Sequence, residues 1–297
     1  MLWTLIIVMI LIIMIVIMTT SRYGFFGYKM EYMVEHVHND WPKIIWTFWH
    51  DSTRIPPIVS VCIDSWMLSN PDYKVNVINN NNMHEFIDVP SSDFWKDSFT
   101  RTSDMLRLHL LERYGGIWID SSILVRTPFS QWLFNHCDIN QKQMYGFYLD
   151  SWSVNGKPPV IESWFIASKR NSYFMRQWRK EFMSIGTFPS IRSYVDTRRK
   201  HVFLDNINYP LYLAIHVSAQ TVVQTNDDVL SSLCLLKAED SAFHYLFMND
   251  WDSTEAVKYA CDHVCEFDII KFRACERFVF EENPHLLSQI CQTFSCK

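Results

Sequence analysis

The chain has 297 residues, of which 48% are hydrophobic and 15% aromatic, and it carries a formal net charge of -5. This length suits one large domain or two small ones, and the apolar content excludes a disordered chain. The negative charge excludes a nucleic-acid-binding protein that depends on broad basic attraction, so no nucleic-acid partner is expected.

The amino terminus has the pattern of a membrane anchor. The first 18 residues are apolar apart from Thr4, and a helix of this length spans the hydrocarbon core of a bilayer. A cleaved signal peptide is the alternative, but no lysine or arginine precedes the apolar run, and Thr19-Thr20-Ser21 is a poor cleavage site. We therefore predict a transmembrane helix over residues 1–20, a juxtamembrane stem over 21–40 and a single-pass membrane protein.

Two observations disagree about the side of the membrane on which the rest of the chain lies, and this question stays open. Arg22 and Lys29 follow the apolar run, and the positive-inside rule then favours a cytoplasmic location for the rest of the chain. Of the eight cysteines, those from Cys261 onward crowd the tail, which favours disulfides and an ER or Golgi lumen. Zinc held by these cysteines and His263 is an alternative, although their spacing lacks paired C-x-x-C motifs.

Strand and helix patterns alternate after residue 40. The clearest is a helix with apolar residues at helical spacing, capped by Ser103 or Asp104 and ended by Gly115 and Gly116. A short strand and Asp120 follow. Predicted strands cover residues 43–48, 73–78, 117–119, 144–149 and 163–167, and predicted helices cover 56–67, 103–114, a segment capped by Asn171, and 209–220. This alternation predicts an α/β fold with a mainly parallel sheet.

Four ordered blocks resemble the capsular polysaccharide synthesis family, which groups with DXD-type glycosyltransferases of the family 32 type. No block is specific alone, but their order along residues 41–182 makes a chance match improbable. The blocks are Trp41-Pro42-Lys43-Ile44-Ile45-Trp46-Thr47-Phe48-Trp49; Pro56-Pro57-Ile58 with Ser65-Trp66 and Asn70-Pro71-Asp72-Tyr73; Ser103-Asp104 with Arg107 and Tyr114-Gly115-Gly116-Ile117-Trp118-Ile119-Asp120; and Ser163-Trp164-Phe165-Ile166-Ala167-Ser168.

The resemblance implies a GT-A fold, a Rossmann-like α/β sandwich that binds a nucleotide sugar. It implies a glycosyltransferase that moves a hexose from a nucleoside-diphosphate donor to a glycan or glycoconjugate with retention of configuration, and the predicted transmembrane helix would anchor this enzyme in a membrane. The catalytic domain is expected over residues 41–260, with a Cys-rich extension over 261–297 packed on it. A catalytically inactive glycan- or nucleotide-sugar-binding protein of the same fold is the alternative.

The resemblance also implies roles for individual residues. Asp120 matches the first acid of the DXD motif and would bind Mn²⁺ or Mg²⁺, which prefer oxygen ligands. Asp104 and Arg107 match positions that hold the donor sugar or its phosphates, and Trp49 matches the position that stacks the nucleotide base. Ser122 stands where a strict DXD motif has a second acid, so metal dependence is open and this hydroxyl would ligate weakly or through water.

Each of these residues has a structural alternative. Asp120 could cap a turn, Asp104 and Arg107 could form a helix cap and a surface ion pair, and Trp49 could fill the core. His109 is expected to be a buried structural histidine. Further residues that could complete the site from later in the chain are Glu162, Trp164, His216, Asp250 and Trp251.

Overall fold

The main sheet has six strands and mixed direction. The computed structural model of the chain describes residues 41–294, and the compact unit that contains this sheet begins at Lys43. The strand order is β2-β1-β3-β6-β5-β7. Pairs β1–β2, β1–β3 and β5–β7 are parallel, whereas β6 runs antiparallel to both β3 and β5. The strands are β1 Ile44–Phe48, β2 Lys74–Ile78, β3 Gly116–Ile119, β5 Met144–Tyr148, β6 Ile161–Ser168 and β7 Leu233–Lys237.

The predicted α/β fold is confirmed, and the prediction of a mainly parallel sheet needs one correction. The strand predicted at residues 163–167 is longer, and it enters the sheet in the opposite direction. All eight of its residues are buried, so apolar content alone gave no sign of direction.

A second, two-stranded ladder lies apart from the main sheet. Strand β4, Ile123–Val125, pairs antiparallel with β8, Ile269–Lys271, and Ile123 stands opposite Lys271. Both strands have only three residues, too few to show a period in the sequence. This ladder brings the tail of the chain next to the segment that follows Asp120.

The described residues include ten α-helices, several of which pack on the sheet. The helices α2, α4 and α6 contribute to one apolar core together with Trp46, Trp118 and Ile166 from the strands. The helices are α1 Pro57–Ser69, α2 Phe99–Tyr114, α3 Phe129–Trp132, α4 Tyr173–Met183, α5 Ile191–Arg199, α6 Ala214–Thr225, α7 His244–Phe247, α8 Ser253–Asp262, α9 Ala274–Glu282 and α10 Pro284–Phe294.

Helix α2 begins earlier than the sequence pattern indicated. Its N-cap is Ser98, whose side chain accepts a hydrogen bond from the Arg101 amide, so the prediction of a cap at Ser103 or Asp104 is wrong. Both of those residues lie inside the helix. Their side chains therefore project from the side of the helix and do not cap its N-terminus. Similarly, Ser172, not Asn171, caps α4.

Two glycines make the turn from α2 into β3 possible. Gly115 and Gly116 have φ angles of 66° and 93°, a region that other residues rarely adopt. A Cβ atom at Gly116 would lie 2.5 Å from the carbonyl oxygen of Ile44 on the neighbouring strand. The carbonyl of Gly115 accepts a hydrogen bond from the indole of Trp46 at 2.9 Å. These contacts fix the distance between the end of α2 and Asp120.

The cysteine pairing differs from the predicted cross-linked tail. One disulfide joins Cys137 to Cys234 in β7, and three tail residues, Cys261, Cys265 and Cys275, are free thiols. No zinc cluster forms among residues 41–294. The crowding of cysteines in sequence therefore did not identify the pair that meets in space.

The predicted anchor at residues 1–20 and the stem at 21–40 lie outside the described residues. Within residues 41–294, no helix combines the length and apolar character needed to cross a membrane. This finding corrects the prediction of a single-pass membrane protein, which the described structure does not support.

Candidate active site

Asp104 and Arg107 lie on one buried face of α2. They are three residues apart, and the Arg107 Nη2 atom is 3.3 Å from an oxygen of Asp104. Only 6% of Asp104 and 5% of Arg107 is exposed. A surface ion pair is therefore excluded, and the pair forms part of an interior polar cluster.

The Arg107 guanidinium is held by several acceptors at once. It donates to the Ser163 carbonyl at 2.8 Å and to the Ser163 hydroxyl at 2.6 Å. It also donates to the Ser103 hydroxyl at 3.1 Å and to Asp120 Oδ1 at 3.2 Å. The guanidinium lies 5.0 Å from the centre of the Trp118 ring. Contacts to α2, β3 and β6 thus fix the cation in one place before any ligand binds.

Asp120 follows directly after β3 and is bonded on both carboxylate oxygens. Its Oδ1 atom accepts from Arg107 and, at 3.0 Å, from the Trp118 indole, while Oδ2 accepts from Lys271 Nζ at 3.1 Å. Burial raises the pKa of this carboxyl, but Lys271 and Arg107 outweigh burial and bring the pKa below its ordinary value. Asp120 is consequently a carboxylate at neutral pH.

The Ser122 hydroxyl makes its hydrogen bonds to protein atoms. It donates to the Phe272 carbonyl at 2.7 Å and accepts from Lys271 Nζ at 3.0 Å. Only 2% of this residue is exposed. The third position of the DXD-like motif therefore orients a lysine from β8.

The residues around Asp120 do not fit a divalent cation. An ion bound to this carboxylate would lie against the Lys271 ammonium, which repels it in a partly desolvated site. No group of three or more His, Cys, Asp or Glu side chains in the described part of the chain is arranged to hold a metal. The donor set thus argues against the predicted Mn²⁺ or Mg²⁺ ligation by Asp120 and Ser122.

Asp104, Arg107, Asp120 and Lys271 share one cavity of about 520 Å³. Aromatic side chains form much of the rest of its wall. Asp250, expected from later in the chain, does not line it, but four others from that group do, namely Glu162, Trp164, His216 and Trp251. The further lining residues are Thr100, Leu149, Ser151, Trp152, Ser163, Tyr212, Leu213, Ile215, Phe243 and Arg273.

The acids on the wall differ in their charge state. Burial raises the pKa of Asp104 to about 6, although the neighbouring Arg107 acts in the opposite direction. In the same cavity, the Glu162 carboxylate lies 3.6 Å from the His216 imidazole, and both side chains are almost fully buried. The cavity therefore combines a charged carboxylate at Asp120 with an acid that titrates near neutral pH.

Three buried nitrogens of lining residues lack a hydrogen-bond partner among the described atoms. They are Arg107 Nε, Trp164 Nε1 and His216 Nδ1. Buried polar groups are normally paired, because an unpaired one costs about 1–3 kcal/mol. A ligand rich in oxygen acceptors, such as a phosphate or a sugar, would supply the missing partners.

Trp49, the residue expected to stack the nucleotide base, does not line this cavity. Its indole donates to the Arg54 carbonyl at 2.9 Å, and its ring packs on His50 at 5.6 Å between centroids. His50 in turn stacks on Phe99 at 4.0 Å, and Phe99 is the first residue of α2. Trp49 therefore lies beside the same helix end as Thr100, and base stacking by Trp49 stays a prediction.

Lys271 and Arg273 are the two basic cavity residues that sequence reasoning missed. The Arg273 guanidinium lies 5.3 Å from the Trp251 ring centre, and it pairs with buried Glu276 at 2.7 Å. Lys271 is 151 residues from Asp120 along the chain, and the three-residue strand β8 carries no motif. A lysine inside an otherwise apolar run was the available signal.

Comparison with known proteins finds glycosyltransferases. The chain is 27% identical over 163 residues to O-glycosyltransferase braB of Annulohypoxylon truncatum, covering 48% of this chain and 37% of that protein. It is 26% identical over 204 residues to O-glycosyltransferase PaGT of Phomopsis amygdali, covering 60% of this chain and 46% of that protein. The aligned stretches thus span less than half the length of either relative.

Two solved glycosyltransferase structures are similar to this chain at low sequence identity. The PaToxG glycosyltransferase is 14% identical with a TM-score of 0.38, covering 93% of this chain and 94% of that chain. A glycosyltransferase involved in glycosylation of the major capsid of PBCV-1 is 10% identical with a TM-score of 0.44, covering 82% and 98%.

The family model named capsular polysaccharide synthesis protein matches residues 26–185, which is more than half of the 297 residues. The match includes α2, β3, Asp120 and β6, the elements that hold Arg107 in place. The family inferred from the four sequence blocks is therefore confirmed, and this chain belongs to the capsular polysaccharide synthesis protein family.

Proposed function

We propose that the chain is a glycosyltransferase that moves a hexose from a nucleoside-diphosphate donor to a hydroxyl group of a glycan or glycoconjugate. The observation that carries the proposal is the cavity in which Arg107, Lys271, Asp104 and Asp120 meet. Membership of the family and the names of the O-glycosyltransferase relatives support the same reaction class.

The polar wall suits the diphosphate of the donor. Arg107 and Lys271 are both fixed by Asp120, so their positive charges need little reorganisation when a leaving diphosphate gains charge. The unpaired Arg107 Nε offers a further donor to a phosphate oxygen. Asp104, close to Arg107, would accept hydrogen bonds from hydroxyl groups of the sugar.

The aromatic wall suits the acceptor and the sugar ring. Trp152, Trp164 and Trp251 present apolar faces of the kind that stack on sugars. His216 lies next to Trp152, at 6.4 Å between ring centroids, and pairs with Glu162, so these two residues would supply polar atoms where the acceptor hydroxyl enters. We place the nucleotide base towards Trp49, beyond the end of α2, within a GT-A-type domain over residues 41–260 that the segment 261–297 completes.

The transfer itself needs no additional reactant. The bond between the anomeric carbon and the diphosphate oxygen breaks, and its electron pair leaves with the diphosphate. The acceptor oxygen bonds to the anomeric carbon, and its proton passes to the departing diphosphate. Attack from the same face as departure retains the configuration, which NMR of the product anomeric proton would report.

A panel of nucleotide sugars, with donor hydrolysis as the readout, tests the proposal. We expect one donor to turn over, and Asp120→Asn to slow this by about 10²–10³-fold, as for the loss of one preorganised electrostatic group. Asp205→Asn, at an acid whose side chain is 72% exposed, is the matched control and should behave as wild type.

Binding of a nucleotide sugar without any turnover would instead favour the alternative, an inactive binding protein of this fold. Replacement of the second motif acid by Ser122 is the observation behind that alternative. Wild-type turnover by Asp120→Asn would contradict the proposed site.

A further inference from the structure

Lys271 occupies the place next to Asp120 at which a DXD motif would hold its metal. Its ammonium donates to Asp120 Oδ2 at 3.1 Å and to Ser122 Oγ at 3.0 Å, which are the first and third positions of the motif. One cationic group thus bridges the two side chains that a divalent cation would bridge. Only 8% of Lys271 is exposed.

The backbone around Lys271 holds this ammonium in position. Lys271 pairs with Ile123 across the β4–β8 ladder, directly after the Asp120-Ser121-Ser122 segment. Its amide donates to the Ala242 carbonyl at 3.0 Å, and its carbonyl accepts from the Tyr245 hydroxyl at 2.7 Å. Because the main chain is bonded on both sides, the lysine is a built part of the site and not a mobile surface side chain.

The ammonium still has donor capacity for a ligand. An ammonium group has three hydrogens, and two acceptors are present among the described residues. Lys271 lines the cavity together with Arg107, whose Nε is unpaired. Two fixed cations, each with an N–H group that lacks a partner among the described residues, therefore line the same cavity.

We infer that Lys271 replaces the divalent cation in this protein, so that the nucleoside diphosphate is bound and neutralised by Lys271 and Arg107 without metal. The inference rests on the proposed function, since it concerns the diphosphate of that donor. It follows from the disagreement between the DXD-like motif, which predicts a metal, and the donor set, in which the Lys271 ammonium already bonds both oxygens and would repel a cation. Asp120 and Ser122 then act as positioning residues for Lys271.

Binding of UDP and GDP to the full chain, measured by calorimetry, tests the inference without depending on turnover. In excess EDTA we expect one of these nucleotides to bind wild type as tightly as it does with Mn²⁺ added. Mn²⁺ alone, followed by its EPR signal, should stay free in the presence of the protein. A requirement for Mn²⁺ in nucleotide binding, or capture of Mn²⁺ by the protein, would overturn the inference while leaving the proposed function intact.

Variants at Lys271 give a second, independent readout. Lys271→Ala should weaken nucleotide binding in EDTA by about 10- to 100-fold, the range for a lost hydrogen bond to a charged group. Lys271→Arg should retain most of the affinity. Lys258→Ala, at a lysine whose side chain is 52% exposed, is the matched control and should not change binding.

Circular dichroism of each variant separates lost binding from lost folding. Binding by folded Lys271→Ala equal to that of wild type would overturn the inference. If wild type binds neither nucleotide, with or without Mn²⁺, while the donor panel turns over, the inference fails alone. If the panel is also inactive, the proposed function fails with it.

Discussion

The two halves of the chain contribute to the cavity in different ways. Residues up to 168 supply Asp104, Arg107 and Asp120 from a helix, a tight glycine turn and a strand that are close in sequence. The later half supplies Lys271 and His216 from elements separated by long stretches of chain. The site residues of the first half can be recognised as a sequence motif because they are close together in the chain. Those of the second half can be identified only from the folded structure.

The largest expected effect concerns the glycine turn of the first half. Gly116→Ala places a Cβ 2.5 Å from the Ile44 carbonyl and forces alanine to φ 93°, so we expect little folded protein. The cost exceeds the roughly 1–3 kcal/mol of backbone strain alone, because β1 must also move. Thermal unfolding by circular dichroism measures it.

Gly156→Ala is the matched control for that variant. Gly156 has φ 73°, but no atom lies within 4 Å of its added Cβ, so only the strain should appear. Equal losses in the two variants would show that the close approach of Gly116 to β1 contributes nothing.

The disulfide tests the link between the two halves, since Cys137 lies in the first half and Cys234 in the second. Cys137 and Cys234 are 97 residues apart, so their bond restricts a long loop of the unfolded chain. Replacing both by alanine should lower the free energy of unfolding by about 5 kcal/mol, as chain-entropy estimates give for loops of this length. Chemical denaturation measures the change, and Cys265→Ser, at an exposed free thiol, should leave stability unaltered. A midpoint unchanged by the double substitution would contradict the prediction.

The pH dependence of stability tests Asp104, a residue of the first half that lines the cavity shared by both halves. Burial raises its pKa to about 6 in the folded chain from an ordinary value of 3.8. Between these values the folded chain holds a proton that the unfolded chain has released, so this group's contribution to stability falls as pH rises from about 4 to about 6.

The difference in unfolding free energy between wild type and Asp104→Asn should therefore decline by about 3 kcal/mol across that window and stay level above it. Denaturation at a series of pH values measures this difference. A decline above pH 7, or none at all, would show that Asp104 is not the group responsible.

The sequence predicted well what depends on local pattern. Five of the six strands in the main sheet, the α2–β3 turn and the family are readable from periodicity and motifs. The Ser98 cap was missed because Ser103 and Asp104 are equally good caps by residue type, and only the true helix start distinguishes them.

Long-range pairings were not predictable in the same way. Neither the partner of Cys137 nor the strand that carries Lys271 has a local signature, since a strand of three residues shows no period. The reversed direction of β6 was hidden for another reason, because a fully buried strand has the same composition in either direction.

The β4–β8 ladder sets a practical limit on how this chain can be shortened. The match to the family model ends at residue 185, whereas β8 begins at Ile269. A fragment trimmed to the matched region would keep Asp120 but leave its Oδ2 without the lysine, and it would expose the backbone edge of β4 to other chains. The region that matches the family model is therefore not expected to be active as an isolated fragment.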